Sequence, residues 1–149
     1  MLKKLIIILI LVTAIALFAL AHRPPKEFVL QTDVLNEASG IDLSIQNKQV
    51  LWSHNDSGNK AEIYALNTEG QLLSTLTLKG VQNRDWEDIA VAKDPLSDIS
   101  FIYIADIGDN NAKYKSIYVY RLKEPQLTGK DDILQSSEIK TIEINYEDG

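Results

Sequence analysis

A segment that occurs twice constrains the fold of this chain more than any other feature of its sequence. The first copy contains SGIDLS, LWSHNDSGN and EIYALN, and the second contains EDIAVA, IYIADIGDN and SIYVYR. Ile41 aligns with Ile89 and Asn55 aligns with Asp106, so the offset grows from 48 to 51 residues between the first two apolar runs. Growth confined to the gaps means that the strands keep their length while the turns vary. Copies of a four-stranded unit at this spacing are typical of the blades of a β-propeller.

Each copy divides into four short runs rich in β-branched and aromatic residues, which predict strands. The predicted strands are 39–44, 50–54, 62–67 and 72–78 in the first copy, and 87–92, 101–105, 116–122 and 139–146 in the second. We also expect a short ring-closing strand at 28–30 and one helical turn at 131–136. Because no other stretch after residue 21 has a helical period, the predicted fold class is all-β, with four-stranded antiparallel blades.

The N-terminus has the pattern of an export segment. Lys3 and Lys4 precede an apolar run from residue 5 to residue 21, in which only Thr13 is polar, and small residues stand at its end. This is the order of a signal peptide, and an uncleaved N-terminal anchor is the alternative because the run is nearly long enough to span a bilayer. Both interpretations of residues 1–21 predict that the rest of the chain is exported, to the periplasm or the extracellular medium.

The remaining chain is expected to divide into a linker, 22–36, which includes the possible ring-closing strand, and two blades within 37–149. A propeller needs roughly four to eight blades before each apolar blade face is covered by a neighbour. We therefore expect 37–149 to be an incomplete domain, the N-terminal fragment of a larger propeller.

The chain is acidic and contains no cysteine. Its 21 Asp and Glu residues exceed its 15 Lys and Arg residues, which argues against nucleic acid and anionic membrane surfaces as partners. Membrane contact is expected only through an uncleaved N-terminal segment. Without disulfides, stability must come from packing or from a metal. The expected partner is an extracellular or periplasmic small molecule or polymer.

Acidic and amide side chains recur at equivalent strand ends of the two copies. The candidate metal ligands are Glu37, Asn55, Asp85, Glu87, Asp106 and Asp109. The first strands of successive blades line the channel of a propeller, so carboxylates repeated there converge, and only a cation or protonation relieves their repulsion. Calcium, which takes about six to eight oxygen ligands, suits this donor set. For the loop residues that follow the second strands, turn formation is preferred to metal ligation, because Asn and Asp favour turns on their own account.

Three residues are candidates for catalysis. His54 is the only histidine beyond the export junction, and Ser53 precedes it, but the chain has no GxSxG motif. We expect His54 to be packed or to bond a turn, and a role as general base or ligand is the alternative. Glu87 and Asp88, which follow Trp86, are the other candidates for an acid or base.

The series EASGID, WSHNDSGN, IYALN, DWEDIA, YIADIGDNNAKY and IYVYRLKEP resembles the start of a group of exported bacterial proteins with a six-bladed propeller fold. It is more distantly similar to the calcium-dependent propellers of the gluconolactonase and regucalcin type and to the phytase-like propellers. The resemblance covers residues 37–125. Resemblance to the lactonases implies an axial divalent cation held by carboxylate and amide side chains, with Glu37, Glu87, Asn55 and Asp106 at matching positions.

Two functions of different classes are therefore expected. As a binding module, the propeller holds a divalent cation, calcium, for rigidity and presents its loops to an extracellular or periplasmic ligand. As a hydrolase, it uses the same cation to polarise a lactone, ester or phosphoester and to activate water, with Glu87 or Asp88 as general base. Because fold alone does not confer chemistry, the binding function is preferred.

Overall fold

The computed structural model describes residues 2–21, 27–129, 131–134 and 138–147. Within these described ranges, one helix, α1, spans Leu2–Ala21, and nine strands follow it. The strands are β1 (Ala38–Leu43), β2 (Val50–Asn55), β3 (Glu62–Asn67), β4 (Leu72–Leu78), β5 (Trp86–Lys93), β6 (Ser100–Asp106), β7 (Ser116–Lys123), β8 (Asp132–Leu134) and β9 (Ile139–Asn145). The predicted all-β class is confirmed, and each of the eight predicted strands is found within one residue of its expected bounds.

The strands form two open sheets. The first sheet has the order β1-β2-β3-β4-β8 and the second has the order β5-β6-β7-β9. Neighbouring strands pair antiparallel in both sheets, except that β8 joins the edge of the first sheet parallel to β4. Each sheet is therefore built on a four-stranded antiparallel meander, and the first gains a fifth strand from the segment that precedes β9.

Two local predictions are wrong. The helical turn expected at 131–136 is replaced at 132–134 by strand β8, because the edge of β4 offers backbone partners to an extended chain and Asp131 accepts a 2.7 Å hydrogen bond from the backbone N–H of Thr75. Residues 135 and 136 of that prediction lie outside the described part. Residues 28–30 are not a strand. They lie beside the β3–β4 turn, where the N–H of Gln31 donates to the carbonyl of Gly70 at 2.9 Å.

The main core lies between the two sheets. The face of each sheet that contacts the other is called here its inner face, and the opposite face its outer face. Trp52 of β2 and Trp86 of β5 are both fully buried in this core. The other core side chains are Val50, Ile63, Ala65, Leu76 and Leu78 from the first sheet, and Ile89, Ile102, Ile104, Tyr120, Leu122 and Ile139 from the second. Alternation along each strand delivers these side chains to one face, as the pleat requires.

The first strands of the two sheets approach closely at Gly40. A Cβ atom added to Gly40 would lie 2.8 Å from the backbone N of Ile89 and 2.9 Å from Nε2 of His54. The carboxylate of Asp42 also accepts a 2.6 Å hydrogen bond from the N–H of Val91. Strand β1 therefore rests directly on the backbone of β5, and the sheets are fixed relative to one another at this junction.

The outer faces of the sheets are covered to different extents. Leu35 packs on Tyr64 and Leu66 of the first sheet and forms a second, smaller core cluster there. On the second sheet, the outer-face side chains of β6, β7 and β9 stay partly exposed, and Ile144 is 47% exposed.

Helix α1 carries the apolar run of the sequence. Its described side chains, 9–18, are exposed, and Thr13 donates its hydroxyl to the carbonyl of Ile10 at 2.9 Å. Within the described residues no helix is both long enough and apolar enough to cross a membrane. Export of the chain stays a prediction. Of the predicted linker, residues 22–26 lie outside the described part.

Candidate metal centre

Three carboxylates converge at one end of the sheet pair. Oxygen atoms of Asp56, Asp85 and Glu87 all lie within 4.8 Å of one another. Asp56 follows β2 of the first sheet, whereas Asp85 precedes and Glu87 lies within β5 of the second. This site is called the acidic cluster below. It contains two of the six predicted ligands, Asp85 and Glu87, together with Asp56, which the sequence places in the neighbouring loop.

A β-bulge directs Glu87 to the acidic cluster. The β5–β6 pairing matches Trp86 with Asp106 and Asp88 with Ala105, so Glu87 is the extra residue. A bulge changes the direction of its side chain. Trp86 is fully buried and Glu87 is exposed, and the bulge thus separates a core residue from a site residue. The first sheet has a bulge at the aligned residue, Ser39, whose hydroxyl donates to the carbonyl of Trp86 at 2.7 Å.

Asn83 brings the loop of the first sheet to the second. Its side-chain amide donates to the carbonyls of Asn55 at 3.1 Å and Asp56 at 2.8 Å, and its oxygen accepts from the N–H of Trp86 at 3.2 Å. Asn83 is 6% exposed. It is a positioning residue that sequence reasoning missed, since a lone Asn in a loop carries no signal before the fold is known.

Asp106 is not a member of the acidic cluster, but it holds the backbone of Asp85 in position. The fully buried carboxylate accepts a 2.9 Å hydrogen bond from the N–H of Asp85 and a 3.2 Å hydrogen bond from the hydroxyl of Tyr120. Nε of Arg84 lies 3.6 Å from the same carboxylate, within ion-pair range but too far for a hydrogen bond. Arg84 is held in turn against the Tyr114 ring, 3.8 Å from its centroid. The buried negative charge thus has a charged partner, as such groups require.

Asn55 plays the same part in the first sheet. Its side-chain oxygen accepts from the N–H of Glu37 at 3.1 Å, and its amide donates to the carbonyl of Val34 at 2.6 Å. The aligned residues Asn55 and Asp106 therefore both anchor the backbone that enters a first strand. Their alignment in the sequence reflects this shared anchoring geometry, and the structure does not bring either residue into the acidic cluster.

The remaining predicted ligands bond to their own surroundings. The carboxylate of Glu37 accepts from the side-chain amide of Asn59 at 2.8 Å. The Asp109 carboxylate accepts from the N–H groups of Lys113 at 2.7 Å and Tyr114 at 2.8 Å. These bonds hold the pKa of Asp109 below its usual value. Asp109 thus orders the β6–β7 loop, as expected of an Asp in a turn.

Gly108 leaves the space that the carboxylates of Asp85 and Glu87 occupy. A Cβ atom added there would collide with the carboxyl group of Asp85 and lie 2.6 Å from Oε1 of Glu87. The N–H of Gly108 donates to the carbonyl of Asp85 at 3.1 Å. The two carboxylates therefore occupy the space beside a glycine that any other residue would fill.

The electrostatics of the acidic cluster are unfavourable when all three acids are ionised. Partial burial, followed by repulsion from Asp56, raises the pKa of the Asp85 carboxyl above its usual value. Crowded carboxylates are relieved by a proton or by a cation. The three carboxylates of the acidic cluster supply hard oxygen ligands of the kind that calcium takes.

The catalytic candidates lie in different environments. His54 is fully buried, with Nδ1 3.0 Å from the carbonyl of Asn55 and its ring edge-on to Trp86. Asp88 is exposed and lines an open cleft of about 600 Å³ on the outer face of the first sheet, together with Phe28, Leu35 and Leu51. His54 therefore packs in the core, Glu87 belongs to the acidic cluster, and Asp88 borders a cleft.

Comparisons of this chain with models of protein families, with curated proteins and with solved structures found no match.

Proposed function

We propose that this chain is an exported β-propeller module that binds a divalent cation, calcium, at the acidic cluster. The observation that carries the proposal is the convergence of Asp56, Asp85 and Glu87 from two sheets within 4.8 Å. Acids from separate elements repel one another, and this arrangement is stable with a cation between them. In this function the bound cation joins the loop that follows β2 to the start of β5. It thereby rigidifies the end of the two sheets at which the acidic cluster lies.

Three further features support a cation at this place. The bulge aims Glu87 outward, Asn83 ties Asp56 in position, and Gly108 leaves the volume that the carboxylates use. Together these three features hold the carboxylates close to one another despite their repulsion. Preorganised carboxylates of this kind lower the cost of assembling a calcium site.

The propeller part of the proposal rests on the way in which the sheets stack. Both sheets have four-stranded meanders with the same strand order, and their faces pack on each other with β1 against β5. Successive propeller blades are related in this manner. In this function, the loops near the acidic cluster bind an extracellular or periplasmic small molecule or polymer.

The test is a calorimetric titration of the full chain with calcium in a mild detergent, which accommodates the apolar helix. Asp85→Asn and Glu87→Gln each remove one charged ligand, so we expect each to weaken calcium binding at least about tenfold, or about 1.4 kcal/mol. Glu69→Gln is the matched control, because Glu69 is exposed in the β3–β4 turn. Equal affinity in Glu87→Gln and Glu69→Gln, or no calcium binding in the parent chain, would rule out the proposed site.

A metal-dependent hydrolase is the second candidate, favoured by one observation. Asp88 borders the open cleft, and its neighbour Glu87 belongs to the acidic cluster, so consecutive residues of β5 supply the cleft and the proposed cation site. A panel of lactones, esters and phosphoesters tests this function. Turnover that needs calcium and is lost in both Glu87→Gln and Asp88→Asn supports the hydrolase, and absence of turnover from the parent chain counts against it.

A further inference from the structure

Arg84 directly precedes the candidate ligand Asp85, and its side chain is only 16% exposed. One terminal nitrogen of its guanidinium donates to the carbonyl of Ser116 at 3.0 Å. Its buried Nε makes no hydrogen bond within the described part of the chain, and it lies 3.6 Å from Oδ1 of Asp106. A buried cation next to a proposed calcium ligand opposes calcium binding unless its charge is balanced locally.

Two tyrosine rings hold this guanidinium in place. Its central carbon lies 3.8 Å from the centroid of the Tyr114 ring and 4.9 Å from that of the Tyr118 ring. Arginine stacks on aromatic faces in this way because the guanidinium is planar and only weakly hydrated. The positive charge of Arg84 is therefore fixed beside Asp106, whose negative charge it balances.

Asp106 connects this charge balance to the acidic cluster. Oδ1 of Asp106, the oxygen that lies 3.6 Å from Arg84, also accepts the 2.9 Å hydrogen bond from the N–H of Asp85. An ionised acceptor makes a stronger hydrogen bond than a neutral one. A fully buried carboxylate, however, needs a charged partner to be stable as an anion. The group that anchors the backbone of Asp85 is therefore a buried charge that depends on Arg84.

The first sheet shows that a neutral side chain can serve as the same anchor. Asn55 stands at the position of Asp106, and its side-chain oxygen accepts the backbone N–H at the position that corresponds to Asp85. Asn36, which carries no charge, stands at the position of Arg84, at the offset of 48 residues that aligns the first strands. A cation thus accompanies the anchor only in the copy in which the anchor is charged.

We propose that Arg84 is a positioning residue for the calcium site: it balances the charge of Asp106, and Asp106 then holds Asp85 in the acidic cluster. The inference rests on the proposed function for its effect on calcium, whereas its effect on Asp85 concerns this chain alone. Because the two opposite charges lie close together, their fields largely cancel at the acids. The effect of Arg84 on calcium binding therefore follows from the position of Asp85 and not from repulsion between two cations.

The test compares Arg84→Met, which keeps a long side chain and removes its charge, in the parent chain and in an Asp106→Asn background. Asparagine keeps an acceptor oxygen for the N–H of Asp85 and removes the buried charge. The full chain is studied in a mild detergent. Hydrogen exchange of the Asp85 amide is measured by NMR in a chelator, and calcium affinity is measured by calorimetric titration.

Arg121→Met is the matched control. Arg121 is 24% exposed and pairs with Asp94 at 3.2 Å. Its guanidinium carbon lies 3.5 Å from the centroid of the Phe101 ring. Arg121 therefore has the same kinds of contact as Arg84, but its acidic partner follows the end of β5, whereas Asp85 precedes the start of that strand. We expect this variant to leave both readouts unchanged.

In the parent chain, we expect Arg84→Met to speed exchange of the Asp85 amide at least about tenfold, because the charge that holds this amide is no longer balanced. Calcium affinity is expected to fall at least about tenfold as well. In the Asp106→Asn background, both effects are expected to shrink to within about twofold, since no buried charge needs balancing there. A merely structural role of Arg84 would give the same losses in both backgrounds.

The proposal would be overturned by unchanged exchange of the Asp85 amide or by tighter calcium binding in Arg84→Met. Equal effects of Arg84→Met in the two backgrounds, or equal effects of Arg121→Met, would overturn it as well. If Arg84→Met alone does not fold, the double variant is expected to fold, and failure of both would contradict the proposal. A parent chain that does not bind calcium would contradict the proposed function, while the exchange comparison would still decide the role of Arg84.

Discussion

Gly108 lies against the carboxyl groups of Asp85 and Glu87. Because glycine has no side chain, both carboxylates have space to lie close to Asp56. At the residue scale, the candidate site depends less on the acids than on the residues that place them. Asn83 holds the loop of Asp56, and Asp106 holds the backbone of Asp85. The acids themselves are ordinary surface residues, and their proximity is what distinguishes them.

Gly108→Ala tests this view. The added methyl group would collide with the carboxyl of Asp85, so we expect the acids to separate and calcium affinity to fall about tenfold, or about 1.4 kcal/mol. Calorimetric titration measures the change. Asp109→Asn is the comparison, because its carboxylate is engaged by the Lys113 and Tyr114 backbone, and it should leave affinity unchanged. If Gly108→Ala binds calcium with the affinity of the parent chain, the positions of the acids do not depend on the space beside Gly108.

Two tyrosines make stability sensitive to alkaline pH. Burial, then the charge of Glu62, raises the pKa of Tyr64 to about 12, and burial next to Asp106 raises that of Tyr120 as well. Between the ordinary value of 10.0 and these raised values, the unfolded chain loses protons that the folded chain keeps. Stability is therefore complete below that ordinary value and falls as pH rises above it, by on the order of 1 kcal/mol per pH unit for each tyrosine.

The change is measured by urea unfolding at about pH 9 and about pH 11. Tyr64→Phe removes the titrating hydroxyl and keeps the ring, so we expect this variant to lose less stability across that interval than the parent chain. Tyr146→Phe serves as a control, because Tyr146 is 46% exposed. An equal loss in Tyr64→Phe and Tyr146→Phe would show that Tyr64 ionises freely in the folded state.

At the scale of elements, the two sheets are joined where their first strands meet. Strand β1 lies on β5 at Gly40, and Glu124, after β7, accepts hydrogen bonds from Trp52 at 3.0 Å and from the N–H of Gln46 at 3.0 Å. These contacts join the first sheet to the second at two separate places along the strands. The acidic cluster spans the same junction, so its geometry depends on how closely β1 and β5 approach.

Gly40→Ala is expected to push the sheets apart. Its Cβ would meet the backbone of β5, which cannot rotate away as a side chain can, so we expect a loss of about 1–3 kcal/mol in the free energy of unfolding. Urea unfolding gives the loss. Ala90→Val, on the outer face of β5, is the control for added volume and is expected to stay within about 0.5 kcal/mol. A similar loss in both variants would mean that the junction tolerates a methyl group.

The strands could be predicted from the sequence because their information is local. Runs such as IYIA and IYVY favour strands wherever they stand, and aligned turns set their ends. Strand β8 was missed because three residues become a strand only when the edge of β4 is available. The ring-closing strand at 28–30 was expected from a short apolar run, and that run instead lies beside Gly70. Apolar content alone does not distinguish an edge strand from a segment that packs on a face.

The site was predicted only in part, for a related reason. Asp85 and Glu87 stood out as acids around Trp86, but Asp56 enters the cluster through the inter-sheet hydrogen bonds of Asn83. Asn55 and Asp106 aligned because both anchor backbone N–H groups, and alignment does not separate an anchor from a ligand. Contacts between distant segments decide these roles, and a single sequence does not contain them.

On the scale of the whole molecule, the chain is a stack of two sheets with one buried interface and two partly open outer faces. The acidic cluster lies across the buried interface, so a cation bound there stabilises the packing of one sheet on the other as well as the local loop. Stability and cation binding are therefore expected to be linked, because a ligand that binds only the folded state adds its binding free energy to folding.

The most direct test is thermal unfolding of the full chain in a mild detergent, with excess calcium and then with a chelator. At a calcium concentration about one hundredfold above the dissociation constant, binding adds about 2.7 kcal/mol, a shift of several degrees in Tm. We predict that shift for the parent chain and for Glu69→Gln, and its loss in Glu87→Gln. An identical Tm in calcium and in chelator for the parent chain would contradict the central claim that Asp56, Asp85 and Glu87 form a metal site.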